Sequence, residues 1–153
     1  MSAVWQAIDL GFASKSIAAG TAEFSLEGYL GSFDEAEGGF PQDDLATLSV
    51  TFLGQGGETL GMAAVDGPVD PIDAGLDMSE QGNYSAFRHV SGIVPSDATS
   101  AIVRIDFEID TGTRPTSFNN ANADLIELRV VPAPSTAILA ALTLSGLHSR
   151  RRR

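Results

Sequence analysis

Apolar and polar residues alternate with period two through most of this chain, which predicts strands with one buried and one solvated face. Residues 4–10 alternate weakly and predict a first strand. Residues 13–20 are small and polar, end at a glycine, and predict a short helical turn or loop. From 23 to 30 the alternation is regular, with Phe24, Leu26 and Leu30 on one face. Residues 45–53 predict a strand burying Leu48, Val50 and Phe52. Gly54-Gln55-Gly56-Gly57 is a tight turn into a hairpin partner at 60–65. Further strands are predicted at 84–90, at 101–109 and at 124–131, with a turn through Pro95 between the first two. In the 101–109 strand, Ile102, Val103, Ile105, Phe107 and Ile109 are expected on one apolar face. In the last strand the apolar positions are Leu125, Ile126, Leu128 and Val130. No internal repeat is visible. Short strands with turns every ten residues or so predict an all-β antiparallel sandwich.

Three connections are long for a compact domain. Residues 31–44 carry Asp34, Glu35, Glu37, Asp43 and Asp44, and 66–77 carry Asp66, Asp70, Asp73 and Asp77. Residues 111–122 are polar. Long loops are often functional, and acidic ones are often simply solvated. The aspartates of 66–77 lack the glycine and the closing glutamate of an EF-hand.

The chain has 153 residues, one domain of ordinary size, and 43% hydrophobic content, which excludes wholesale disorder. Its net charge is −11. Four of nine basic side chains are the last four residues, so 1–149 hold five basic against twenty acidic groups, a net −15. Such a surface repels nucleic acid and anionic lipid and suits cations or neutral sugars. The absence of cysteine excludes disulfides, thiolate zinc sites and cysteine nucleophiles. The only histidines are His89 and His148, and no nucleophile motif accompanies either. The expectation is a protein without catalytic activity.

The segments Ala7-Ile8-Asp9-Leu10, Phe24-Ser25-Leu26-Glu27-Gly28-Tyr29-Leu30-Gly31, Asp43-Asp44-Leu45-Ala46, Gly92-Ile93-Val94-Pro95 and Ala123-Asp124-Leu125-Ile126-Glu127-Leu128 follow one another in this order. Over residues 5–131 this resembles bacterial galactose-binding-like jelly-roll domains of the carbohydrate-binding-module kind. Tyr29 stands where that pattern has Trp, and Leu45 and Leu125 where it has Asn. The resemblance implies a jelly-roll β-sandwich over 1–131 that lacks its first strands, with a signal peptide and those strands encoded further upstream. The first ten residues have neither a basic nor an apolar region of the secretory kind. The resemblance also implies a structural Ca²⁺ near Asp124, though a strand-start Asp equally serves to bond backbone amides. A sugar platform would draw on Tyr29, Tyr84, Asn119 and Asn120, or these aromatics pack in the core or at its rim.

The tail, 132–153, has a different character. Val131-Pro132-Ala133-Pro134-Ser135-Thr136 leads into an apolar run at 137–147, then His148, Ser149 and Arg150-Arg151-Arg152-Arg153. It resembles a PEP-CTERM sorting signal, with Ala133 in place of the usual glutamate. That implies processing at residues 131–136 by an exosortase-type membrane protease. The apolar run would form a short helix in the membrane, and the arginines a cytoplasmic stop. The run would make about 17 Å of helix at ~1.5 Å per residue, short of a bilayer core of ~30 Å. The other reading is a soluble protein whose tail packs as a helix. The expected role is a structural or adhesive protein of the bacterial envelope or extracellular matrix. The rival is a calcium-braced carbohydrate-binding module for extracellular polysaccharide.

Overall fold

The computed structural model describes residues 2–34, 45–68, 74–75, 82–108 and 121–132. Strand β1 (Ser2–Asp9) is followed by a 3-10 turn (Gly11–Ala13) and one short helix, α1 (Ser14–Ala18). Then come β2 (Ala22–Asp34), β3 (Leu45–Leu53), β4 (Thr59–Asp66), β5 (Gly82–Ile93), β6 (Ser100–Glu108) and β7 (Asn122–Pro132). They form two antiparallel sheets, one of four strands in the order β1-β6-β3-β4 and one of three in the order β5-β2-β7. The expected all-β sandwich is the fold.

The alternation seen in the sequence sets which side chains meet. In β3 every second residue is buried, Ala46, Leu48, Val50 and Phe52. Beside them on β6 stand Phe107, Ile105, Val103 and Ala101. From the other sheet Phe24, Leu26 and Leu30 of β2 point back at this surface and are buried. Phe24 and Phe52 join the layers, their ring centroids 5.0 Å apart. Leu10, Ala13 and Ile17 close one end of the core. That explains why a small, polar-looking stretch folds into a turn and a helix: only two of its residues, Ala13 and Ile17, are buried.

One expectation about faces needs correction. Ile102 does not share the face of Val103 and Ile105; it pairs with Ala7 and Thr51 on the outside of the four-stranded sheet, as strand parity demands. In β7 Leu125 is exposed, with the parity of Glu127 and Arg129, and the strand carries an extra residue where its pairing with β2 shifts between Glu27 and Tyr29. Leu125 occupies the bulge at φ 51°, and the Asp124 carboxylate accepts its N–H at 2.7 Å. Close packing is as specific: a Cβ on Gly31 would run into the Tyr84 carbonyl of β5, so only glycine fits there.

Candidate functional site

The outer face of the three-stranded sheet carries the most distinctive chemistry. On central strand β2 the residues between the core positions point outward, among them Glu27 and Tyr29. Tyr29 lies opposite Phe87 of β5 and Asp124 of β7, and Glu27 opposite His89 and Glu127. Tyr29 and Phe87 are 43% and 52% exposed, yet their rings meet edge to face with centroids 5.6 Å apart. Two large aromatic side chains held rigidly on an open sheet form an apolar plate among polar groups.

Electrostatics beside the plate are self-contained. Glu27 and Glu127 stand directly opposite each other, a like-charge pair that would be unfavourable alone. Arg129 resolves it. Its Nε and a terminal nitrogen each donate to one Glu127 oxygen at 2.7 Å, and that nitrogen lies 3.6 Å from Glu27. Hydrogen bonding to Arg129 holds the Glu127 carboxyl below the usual carboxylate range. The two carboxylates and His89 border the rings with groups able to bond hydroxyls.

The residues expected at a site divide among four places. Tyr29 is on the plate. Tyr84, expected beside it, is only 4% exposed and packs inward with the parity of Ala86 and Val90, opposite Ser32. Phe87 takes the place expected of Tyr84; the sequence signal for it was the alternation Ser85, Phe87, His89, Ser91 on the solvent face. Asp124 is exposed and bonded to the backbone of its neighbour, which is the amide-bonding role. No group of three or more His, Asp or Glu side chains is placed to hold a metal ion among the described residues. Asn119, Asn120, Ala133, Pro134, Ser135, Thr136, Arg150, Arg151, Arg152 and Arg153 lie outside the described residues, as does most of the acidic loops. Val131 and Pro132 end strand β7. No helix among the described residues is long and apolar enough to cross a membrane.

A second feature is a cleft of about 410 Å³ along one side of the sandwich, lined by Val4, Trp5, Gln6 and Ile8 of β1, two residues of β6, and Ile126 and Leu128 of β7. Its lining is mostly apolar and includes no titratable side chain.

No protein-family model and no curated protein matches the chain. Among solved structures it is similar to the enzymatically active domain of tailspike protein 4 of bacteriophage CBA120. The TM-score is 0.51 and the identity 16%, over 84% of this chain and 14% of the tailspike chain. The likeness is one of fold: the chain spans about one seventh of that protein's length.

Proposed function

We propose that this sandwich is a non-catalytic adhesive domain of the bacterial envelope that holds polysaccharide on the outer face of its three-stranded sheet. The observation that carries the reading is the exposed Tyr29–Phe87 pair. An aromatic plate stacks on the C–H face of a sugar ring, and neighbouring carboxylates and imidazole take its hydroxyls. The acidic surface turns away nucleic acid and leaves neutral glycans as the compatible polymer. The jelly-roll resemblance points the same way.

The tail supplies the location in this reading. It leaves the sandwich from the end of β7, at Pro132, and continues into the proline-containing segment, apolar run and arginines of a sorting signal. An exosortase-type protease would cut within 131–136 and leave the domain on the surface or in the matrix.

Two measurements test these halves separately. A glycan array run in calcium and again in EDTA is expected to show saturable binding to a polysaccharide class, indifferent to the chelator. Binding that vanishes in EDTA would favour the calcium-braced module instead. Membrane partition is expected to fall when residues 137–153 are deleted; unchanged partition would remove the sorting reading and leave the glycan one standing.

A further inference from the structure

The aromatic plate is one end of a longer surface. Tyr29, Phe87, Leu125, Ile93 and Val131 are large apolar side chains, all exposed, and all on the outer face of the three-stranded sheet. They fall into two groups. Tyr29 has Phe87 on one side and, next to its partner Asp124, Leu125 on the other. Ile93 of β5 and Val131 of β7 stand on either side of Glu23. Glu23 and Tyr29 are six residues apart on β2, about 20 Å at ~3.3 Å per residue.

Between the two groups lies a polar belt. Ser25 stands between Ser91 and Arg129, and Glu27 between His89 and Glu127. Glu27 is held from two sides: the Ser25 hydroxyl donates to its Oε2 at 3.4 Å, and Arg129 lies 3.6 Å from its Oε1. A carboxylate already fixed in place loses little side-chain freedom when it accepts a ligand hydroxyl.

On the glycan reading above, on which this rests, we infer that the face binds one linear glycan chain laid lengthwise along β2. The chain runs from the Tyr29–Phe87 plate, across the belt at Glu27 and Ser25, to a second contact at Ile93 and Val131. The ligand class is thereby a single hydrated chain, as opposed to the flat surface of a crystalline polysaccharide. The Tyr29 and Phe87 rings are inclined at 63°, so both cannot lie against one plane. One sugar can take the face of one ring on its C–H side and the other ring at its edge. The order along β2, apolar then polar then apolar, suits a polymer whose every unit carries both C–H patches and hydroxyls. It does not suit a protein partner, including a second copy of this chain. Such an interface places apolar side chains at its centre and polar ones at its rim, and here the polar groups hold the centre.

The test uses the full chain and the polysaccharide that binds it best on a glycan array. Partial acid hydrolysis cuts that polymer into fragments from single sugars to octamers, and calorimetry measures each length. Affinity is expected to rise at least about tenfold between the shortest fragment that binds and one that reaches from the plate to Ile93, then to level off. Ile93→Ser and Val131→Ser lie at positions 56% and 51% exposed, so both are expected to fold normally by circular dichroism. Each is expected to remove much of the gain with length and to leave the shortest binding fragment unaffected, whereas Tyr29→Ala weakens every length. A plateau at the shortest binding fragment, or a length dependence that both serine variants retain, overturns the single-chain inference and leaves the plate standing. Tighter binding to the crystalline form of the same polymer than to its soluble chains does so too. A concentration-dependent dimer in sedimentation that Ile93→Ser abolishes would give the second contact to another copy and also overturn it. Absence of binding at any length removes the plate reading and this inference together.

Discussion

Tyr29 and Phe87 face each other on adjacent strands and touch edge to face, 5.6 Å between ring centroids, on the solvent side of the sheet. Such a pair contributes about 0.5–1.5 kcal/mol beyond burial. Phe87→Ala is therefore expected to lower unfolding stability by about 1 kcal/mol and to leave the far-ultraviolet circular dichroism unchanged. A chemical denaturation series checks this. A loss of several kcal/mol would mean the ring is a core element rather than a displayed one.

The contact of Phe24 with Phe52 has the opposite character, because it joins the two sheets inside the core. Phe52→Ala leaves a cavity between layers and is expected to cost about 3–5 kcal/mol. The same measurement on Trp5→Ala, an exposed ring on edge strand β1, is expected to change stability by no more than about 0.5 kcal/mol.

Leu125 sits in the left-handed region at φ 51° and is 71% exposed. A leucine there is strained by about 1–2 kcal/mol and gains nothing from burial. Leu125→Asn is expected to raise stability by about 1 kcal/mol, since asparagine tolerates this conformation. Thermal unfolding at neutral pH checks it; a lowered midpoint would show that the bulge depends on the leucine side chain.

The Glu127–Arg129 pair makes a prediction about pH. Hydrogen bonding to Arg129 depresses the Glu127 carboxyl in the folded state. Its stabilisation is therefore present above the unfolded pKa and is lost as pH falls through the lower, folded value. Both groups are on the surface, so the effect on stability is small and weakens with salt. Carbon-detected titration of Glu127 is expected to move upward in Arg129→Ala; an unmoved titration would show that the ion pair does not form in solution.

Much of the fold was legible because one sheet face is dry. Leu48, Val50 and Phe52 announce β3, and Phe24, Leu26 and Leu30 announce β2, by parity alone. Parity places Ile102 outside although its side chain is apolar. Parity slips only where a residue is added, at the bulge in β7, where the neighbours Asp124 and Leu125 are both exposed. The site was half legible for the same reason. Tyr29 alternates with buried residues and so had to be exposed. Tyr84 and Phe87 lie on one strand three positions apart, and so on opposite faces; the alternation Ser85, Phe87, His89, Ser91 marks the solvent face, and the pairing of β5 with β2 sets Phe87 beside Tyr29. The uneven count of four strands against three among the described residues is a property of strand order across both sheets, which no local pattern carries.

Polysaccharide binding by the aromatic plate is the central claim, and a quantitative titration tests it most directly. The ligand is the best glycan from an array, measured by calorimetry against the unaltered chain, Tyr29→Ala, Phe87→Ala and the remote control Trp5→Ala. The account predicts saturable binding, weakened at least about tenfold by either plate substitution, the loss of roughly 1.4 kcal/mol of stacking. The Trp5 control should be unaffected. Binding that survives both plate substitutions, or no saturable binding to any glycan, would contradict it.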